Sequence, residues 1–392
     1  MPLRPRHDRP PREPVRTHGR REPFSSALAI SLALLLASAP ALASAPELFG
    51  FGVRSPAMAG TGVAFADDFE AVYENPAGIA RAEHRRLTLG YVSASYHLSL
   101  DGQDRAVDGT SAIIMGVVLP LPLGGALTDR LAIGLGFHLP TNVVNRASAP
   151  LPDQPFLLLD NRTQTVSVMA VASARLPADL SIGAGVIALA ALVGGIDLLG
   201  LPGGHFGARS EEQLVASYAP LVGARWDARP WLRAGATYRG ESDSRYDLAV
   251  VNHLGAALPF DLPTLRIAGI SQYDPHTVAV EVALGRPREG AMVALQLQWQ
   301  HWSAMPALVD RVTPNSPLPP SPGLRDTVTA RAGFEWSRAD GPLRTSLRAG
   351  YAFVATPAPD AALSVPAQAA PAPASSASAT TSRTRFIPAV RG

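Results

Sequence analysis

The side chains best suited to chemistry lie in one short stretch near the start of the chain, Gly52–Ala80. This stretch carries two adjacent carboxylates and, a few residues later, an Asn-Pro-Ala-Gly tetrapeptide: Asp67, Asp68, Asn75, Pro76, Ala77 and Gly78. A proline disfavours the helical conformation in the residue before it. An asparagine side chain can bond the backbone two residues further on. The pattern therefore predicts a compact, hydrogen-bonded segment built on tight turns.

Patterns typical of enzymes are weak in this sequence. The spacing Gly183-x-Gly185-x-x-Ala188 is a loosened dinucleotide fingerprint, but its surroundings alternate like strands and no βαβ unit follows. No G-x-S-x-G elbow occurs, and the nine histidines lack metal-binding spacing. All 34 basic residues are arginine, so no lysine can form a Schiff base. We expect a protein that is not an enzyme and needs no cofactor or metal.

The first 43 residues have the organisation of an export signal. Several arginines precede the apolar run Ala27–Ala37, and Ala41-Leu42-Ala43 follows it. A basic region, a short apolar region and an A-x-A site are typical of a secretory signal peptide. We expect cleavage after Ala43 or, alternatively, after Ala45. The apolar run is shorter than the ~20 residues that a membrane-spanning helix needs.

Two features of composition restrict the function further. The chain has no cysteine, which excludes a disulfide framework in an exported protein. Its charge is nearly balanced at +2, and the mature part carries no basic cluster. Nucleic acid is therefore not an expected partner.

The mature chain alternates apolar and polar residues with the period of a β-strand. In Leu131–Leu139 the odd positions are apolar, and near Val293 apolar residues alternate with glutamines. The further strands predicted in this way are Leu87–Leu98, Ala112–Leu119, Thr165–Arg175, Leu180–Leu189, Leu214–Trp226, Trp231–Arg239, Tyr246–Val251, Leu265–Ile270, Val278–Leu284, Val328–Trp336 and Leu343–Phe353.

Many of these segments approach the ~9–11 residues that a tilted transmembrane strand requires. In such a barrel the apolar face meets lipid and the polar face lines the lumen. We therefore predict an all-β fold, a transmembrane antiparallel β-barrel with its strands in residues 86–356. A soluble β-sandwich would alternate as well, but the export signal and the strand lengths favour the membrane.

Two sets of side chains follow from this arrangement. Arginines that point inward can pair with a ligand carboxylate or with acidic wall residues such as Glu335; these are Arg233, Arg331, Arg344 and Arg348. Aromatic residues near strand ends predict an interfacial girdle; these are Tyr238, Trp299, Trp302, Trp336, Tyr351 and Phe353.

The order of short motifs near the start of the chain resembles that of a known family. Met-Ala-Gly at 58–60, Gly-Val-Ala at 62–64, the Asp pair and Asn-Pro-Ala-Gly at 75–78 follow one another. This order resembles the N-terminal plug of the FadL/TodX family, outer-membrane β-barrels that pass long-chain fatty acids and other hydrophobic molecules. Later phrases resemble the family too: LSIGAGV at 180–186, ATYRG at 236–240, QHWS at 300–303 and LRAGYAFVATPAPD at 347–360.

The resemblance implies a plug (hatch) at residues 44–85 inside a barrel of about fourteen strands. Residues 357–392 depart from the family pattern, because they are rich in Pro, Ala and Ser. Such composition predicts a disordered tail. The closing strands that the family implies are therefore missing from the predicted set.

The resemblance further implies passive uptake of long-chain fatty acids or similar hydrophobic compounds across the bacterial outer membrane. It makes the acidic pair and the Asn-Pro-Ala-Gly residues candidates for gating. The expected partners are a hydrophobic ligand, outer-membrane lipid and the outer-membrane assembly machinery, with the chain as a monomer. The alternatives are a truncated barrel that does not transport, a structural surface protein and a lipid-modifying barrel enzyme.

An unusually apolar stretch at residues 182–201 offers a capture site for a lipid tail at the outer surface. The residues predicted to form it are Leu192, Val193, Ile196, Leu198, Leu199 and Leu201. The alternative is a lipid-facing strand that extends past its normal end.

Overall fold

The structure is a computed structural model of the 392-residue chain. It describes residues 50–100, 103–105, 109–141, 165–201, 205–253, 265–286, 290–307, 323–341 and 343–358. The predicted export signal, the first residues of the predicted plug and most of the predicted tail lie outside the described residues.

The described chain begins with a compact segment of short helices, residues 50–82, which we call the plug. It contains α1 (Arg54–Ala57), α2 (Ala71–Glu74) and a 3₁₀ helix (Pro76–Arg81). Asn75 is extended, with φ −162°, and its Oδ1 accepts a hydrogen bond from the Ala77 amide at 3.1 Å. The extended backbone was expected from Pro76, and the hydrogen bond was expected from the asparagine side chain itself. None of the helices in the described ranges is long and apolar enough to cross a membrane.

Strands make up almost all of the remaining described chain. They are β1 (Arg86–Ala94), β2 (Leu98–Leu100), β3 (Gln103–Arg105), β4 (Thr110–Pro120), β5 (Leu131–Pro140), β6 (Ser167–Arg175), β7 (Leu180–Leu201), β8 (His205–Arg229), β9 (Leu232–Arg239), β10 (Ser242–His253), β11 (Leu265–Asp274), β12 (Thr277–Gly285), β13 (Gly290–Gln300), β14 (Thr327–Asp340) and β15 (Leu343–Phe353). Two further 3₁₀ turns are Gly125–Leu127 and Trp302–Ala304. All thirteen strands predicted from the alternation are present.

Eleven of these strands form one antiparallel wall in the order β1-β4-β5-β6-β7-β8-β9-β12-β13-β14-β15. Short turns join β6 to β7, β8 to β9, β12 to β13 and β14 to β15 at one end of the wall, which we call the turn end. The longer connections lie at the opposite, loop end. Short turns face the periplasm in outer-membrane barrels. β1 and β15 both run from the turn end to the loop end.

The wall is apolar outside and polar inside, as the alternation predicted. Val280 and Leu295 face outward and are exposed, whereas Glu281 and Gln296 face inward and are buried. A soluble sheet would place these side chains the other way round. The wall is therefore built for lipid on its outer surface.

The hairpin of β7 and β8 is much longer than the sequence predicted. The alternation ended near Leu189 and resumed near Leu214, but the two strands pair without interruption up to Leu201 and His205. β10 pairs in parallel with the extension, from Tyr246 opposite Leu192, and also pairs with β11. Because each extended strand satisfies its neighbour's backbone, these residues form a small sheet beyond the loop end of the wall.

β1 and β15 are the two edge strands of the wall. Leu89 on β1 is 72% exposed and Leu343 on β15 is 73% exposed, compared with 48% for Val280 inside the wall. Each edge strand has a paired neighbour on one side within the described residues, so its outward side chains are covered from that side alone.

One predicted member of the aromatic girdle is wrong. Trp302 is 2% exposed and packs against Tyr273, with ring centroids 6.2 Å apart. It lies in the 3₁₀ turn that follows β13, and this turn folds beneath β11 instead of facing lipid. Tyr238, Trp299, Trp336 and Phe353 are exposed, and Tyr351 is half-buried.

Candidate functional site

The contact between the plug and the wall is the part of the described structure in which buried charge and buried apolar surface meet. On one side, β14 and β15 hold α1. Arg54 donates from Nε and Nη2 to the two carboxylate oxygens of Glu335 at 2.8 and 2.9 Å, and Arg348 donates from Nε at 2.7 Å. The bond between Arg348 and Glu335 confirms the predicted pairing with this acidic wall residue for Arg348 alone of the four arginines. Arg331 adds a bond from Nη1 to the Ala59 carbonyl at 3.1 Å.

A second buried carboxylate of the wall holds the middle of the plug. Glu281 on β12 accepts hydrogen bonds from the backbone amides of Gly62, Val63 and Ala64 at 2.8, 3.1 and 3.0 Å. Successive backbone N–H groups that converge in this way form an anion-binding nest. A lone acidic residue among alternating valines was the available signal for this contact, but nothing in the pattern indicated its partner.

β8 holds the plug through both a plug side chain and a wall side chain. Asn75 donates from Nδ2 to the carbonyls of Val63 at 2.7 Å and Ala224 at 2.9 Å. Arg225 donates from Nη1 to the Ala66 carbonyl at 3.0 Å. We call the contacts with β8, β9, β12, β14 and β15 the anchored side of the plug.

The plug also has an internal carboxylate of its own. Glu70 accepts hydrogen bonds from the three backbone amides of Val53–Ser55 at 2.7 to 2.8 Å. Burial, and next the Asp68 carboxylate, raise the pKa of Glu70 to about 7 against the opposing effect of these amides. The contribution of this group to stability is therefore complete below its ordinary pKa and is lost as the pH rises through about 7.

The residues predicted for gating are all within this contact region. Asp68 accepts a bond from the Glu70 amide at 3.0 Å, and Asp67 lies 3.6 Å from the Arg54 guanidinium. Pro76, Ala77 and Gly78 are buried in the 3₁₀ helix. A Cβ on Gly78 would collide with the Ala66 carbonyl, so only glycine fits there. Their placement explains how the plug is built, and their role in gating stays a prediction.

The opposite side of the plug has one polar contact at the turn end, from Arg81 Nη2 to the Asp179 carbonyl at 2.8 Å, but is otherwise held by apolar packing. Its buried members from the plug are Phe51, Ala66, Phe69, Ala71, Val72, Tyr73 and Ile79, and those from the wall are Ile114, Val118, Ala132, Met169, Val171, Ile187, Leu189 and Leu221. Most of the wall members lie on β4, β5, β6 and β7. We call this contact the seam. The anchored side has a smaller apolar cluster of its own, in which Met58 and Phe65 pack against Met292.

A cavity of about 30 Å³ lies at the loop end of the seam. Tyr73, Met169, Ile187 and Leu189 belong to the seam and also line this cavity. Its opposite wall is polar and includes Arg239, whose guanidinium lies 4.6 Å from the centroid of the Tyr73 ring. The volume suits a single water molecule.

The residues predicted to capture ligand all lie on the extension of β7. Their backbones pair with β8 and, from Leu192 to Leu199, also with β10. This placement agrees with a strand extended past its normal end, and capture by these side chains stays a prediction. Among the described residues, no group of three or more His, Cys, Asp or Glu could hold a metal ion.

Comparisons with known proteins agree with this architecture. A family model described as outer membrane protein transport protein (OMPP1/FadL/TodX) matches residues 34–371. A solved structure of a FadL homologue from Pseudomonas aeruginosa has 17% identity and a TM-score of 0.51, over 82% of this chain and 81% of that chain. This likeness supports the fold alone.

The toluene transporter TodX of Pseudomonas putida matches at 16% identity and a TM-score of 0.44, over 80% of this chain and 86% of that chain. No curated protein matches. Because the family model covers most of the sequence, the chain belongs to the OMPP1/FadL/TodX family of outer membrane transport proteins.

Proposed function

We propose that this protein is a channel for the passive uptake of hydrophobic compounds, including long-chain fatty acids, across the bacterial outer membrane. Family membership supports transport, and one structural observation supports the class of substrate. The seam is a continuous apolar contact inside a lumen whose other lining side chains are largely polar. Such a surface favours hydrophobic molecules, because contact with it removes apolar area from water.

The plug is the proposed gate. It lies between the loop end and the turn end, with Asp67, Asp68 and the Asn75–Gly78 turn in its hydrogen-bonded framework. A small displacement of the plug would connect the two ends. Movement down a concentration gradient needs no cofactor and no energy source.

The extension of β7 is the proposed site of capture at the outer surface. Six apolar residues occur there within ten positions, beyond the wall and at the loop end. We propose that the chain works as a monomer, inserted by the outer-membrane assembly machinery and surrounded by outer-membrane lipid.

The proposal is tested by expressing the chain in cells that lack their own fatty-acid channel. We expect a heat-modifiable band in the outer-membrane fraction, because closed barrels resist SDS until they are boiled. We also expect uptake of labelled oleate above that of the empty vector. A heat-modifiable barrel that passes neither oleate nor toluene would refute transport of hydrophobic compounds.

The capture site is tested by the double change Ile196→Asp and Leu199→Asp. Two carboxylates on the apolar extension should lower oleate uptake several-fold, because contact with a hydrocarbon tail would require them to lose water. The heat-modifiable band should stay in place. Leu127→Asp is the control, because it puts the same kind of charge on an exposed residue at the turn end. Equal uptake by the double variant and the control would exclude capture here.

A further inference from the structure

The turn end of the wall carries a groove between two neighbouring turns. One turn joins β4 to β5 and the other is the hairpin turn that joins β6 to β7. The volume of the groove is about 330 Å³, which is within the range of small-molecule sites, about 300–1,000 Å³. Its charged lining residues are Asp129 and Arg130 from the first turn and Arg175 and Asp179 from the second. The groove therefore offers two cations and two anions to a small ligand.

The two arginines of the groove are held side by side by the backbone. The Arg175 amide donates to the Arg130 carbonyl at 2.7 Å, one step beyond the strand pair Leu131 and Ala174. Like charges directly opposite each other in an antiparallel pair are destabilising. An anion bound between the two guanidinium groups would remove this repulsion.

One of these arginines is already paired and the other is available. Arg175 Nη2 lies 3.1 Å from Asp179 Oδ1, and the Asp179 carbonyl accepts a bond from Arg81 of the plug. The side chain of Arg130 forms no hydrogen bond or ion pair with another residue of the described ranges. Its N–H donors are therefore free to bind the oxygens of a phosphate, which arginine contacts with two parallel hydrogen bonds.

Asp129 supplies an available charge of the opposite sign. Its side chain is exposed and, within the part of the chain that the structure describes, it too has no hydrogen bond or ion pair. Asp129 and Arg130 are thus adjacent charges in one groove that do not pair with each other. A ligand with both an anionic and a cationic group matches this arrangement, because each end finds a partner of opposite charge.

Apolar residues border the charged part of the groove. Leu176 and Pro177 line it, and Leu123 and Leu127 of the first turn are exposed. The turn end faces the periplasm, so its rim lies at the level of the phospholipid headgroups of the inner leaflet. Exposed leucines next to a charged groove suit a molecule whose charged head carries an apolar chain, because their contact removes apolar area from water.

We propose that this groove binds the headgroup of a zwitterionic phospholipid, with the phosphate on Arg130 and Arg175 and a primary ammonium on Asp129. Phosphatidylethanolamine has such a headgroup, and soluble glycerophosphoethanolamine shares its chemistry. The inference goes beyond the proposed function, because it assigns a lipid site at the periplasmic rim that takes no part in uptake. A bound lipid would hold the turn end at the headgroup level of the inner leaflet.

Native mass spectrometry of the detergent-extracted wild-type chain tests the headgroup preference. Phosphatidylethanolamine, phosphatidylglycerol and phosphatidylcholine with identical acyl chains are added separately. We expect phosphatidylethanolamine to bind several-fold tighter than phosphatidylglycerol, which lacks the ammonium, and than phosphatidylcholine, whose methylated nitrogen has no N–H to donate. Equal binding of the three lipids would overturn the proposal without any variant.

Soluble glycerophosphoethanolamine distinguishes a membrane lipid from a free phosphate ester. Displacement of bound phosphatidylethanolamine only at a large excess of the soluble compound would support the lipid, because the leucines add contacts that the soluble compound lacks. Binding of the soluble compound without binding of the lipid would overturn the lipid assignment.

Two substitutions separate the two halves of the site. Asp129→Asn should lower the affinity for phosphatidylethanolamine several-fold and leave that for phosphatidylglycerol unchanged, since it removes only the partner of the ammonium. Arg130→Ala should lower both affinities, since it removes a partner of the phosphate.

Asp340→Asn and Arg286→Ala are the matched controls, because each changes an exposed charge elsewhere at the turn end. The heat-modifiable band checks the assembly of every variant. Wild-type lipid preference in Asp129→Asn, or losses in the controls equal to those in the groove variants, would contradict the proposal.

Discussion

The anchored side and the seam are two contacts between the same plug and the same wall, but only the anchored side sets the position of the plug. The hydrogen bonds of Glu281 and Glu335 have direction, so they fix where the plug sits along and around the lumen. The seam has no such requirement, because dispersion and the hydrophobic effect depend on contact area. The anchored side therefore sets the position of the plug, whereas the seam contributes buried apolar area without setting a position.

The largest effect on the free energy of unfolding is expected for Glu335→Ala on the anchored side. The change leaves Arg54 buried next to Arg348 without the carboxylate that both now bind. Loss of one partner of a buried pair costs about 3–5 kcal/mol, and we expect the free energy of unfolding in detergent to fall by that amount. Urea unfolding followed by gel mobility measures it, with exposed Asp104→Ala as the control. A loss equal to that of the control would mean that the anchored side does not hold the plug.

Two glycine-to-alanine substitutions compare how well the anchored side and the seam accommodate an added methyl group, with a smaller expected loss of unfolding free energy. A methyl on Gly235 would collide with the Val63 carbonyl on the anchored side, while on the seam a methyl on Gly136 would lie 2.8 Å from Cζ of the Phe51 ring. Overpacking costs about 1–3 kcal/mol. We expect the loss of unfolding free energy to lie near the top of this range for Gly235→Ala and near the bottom for Gly136→Ala. The Phe51 ring can rotate away from an added methyl, whereas the hydrogen-bonded Val63 carbonyl cannot move as easily.

The same unfolding measurement includes Gly90→Ala as its control, since a methyl there would lie 3.9 Å from its nearest neighbour. The reverse order of the two variants, with the seam glycine the more costly, would show that the seam is the more rigid contact.

The smallest loss of unfolding free energy is expected at an exposed ion pair, and it tests whether burial makes the ion pairs of the anchored side stabilising. Arg338 and Asp340 form an ion pair at 3.1 Å, but both side chains are about two-thirds exposed. Exposed pairs contribute about 0–1 kcal/mol, so Arg338→Ala should change unfolding little. A loss comparable to that of Glu335→Ala would show that charge pairing matters here regardless of solvent.

The wall was predictable from the sequence because period-two alternation is a local signal. The alternation alone indicates which face of the wall meets lipid, as in the neighbouring pairs Val280–Glu281 and Leu295–Gln296. The bend at Asn75 was predictable for the same reason, since Pro76 acts on its immediate neighbour.

The anchored side was largely beyond sequence reasoning, because its partners are far apart along the chain. Arg54 and Glu335 are 281 positions apart, and Gly62 and Glu281 are 219 apart. No spacing rule joins such pairs. The predicted pairing that the structure shows, Arg348 with Glu335, lies across a single hairpin, and its members are only 13 positions apart. The extension of β7 was only one of two alternatives at the sequence level, because Gly194-Gly195 and Leu198-Leu199 interrupt the alternation.

The direction of the two edge strands imposes a parity on the wall. β1 and β15 run the same way, so a strand that pairs antiparallel with one edge must run opposite to both. Antiparallel closure of the eleven-stranded wall therefore accepts one or three further strands, whereas two would force a parallel pair. The even strand number usual in bacterial outer-membrane barrels is thus encoded in the direction of these two strands.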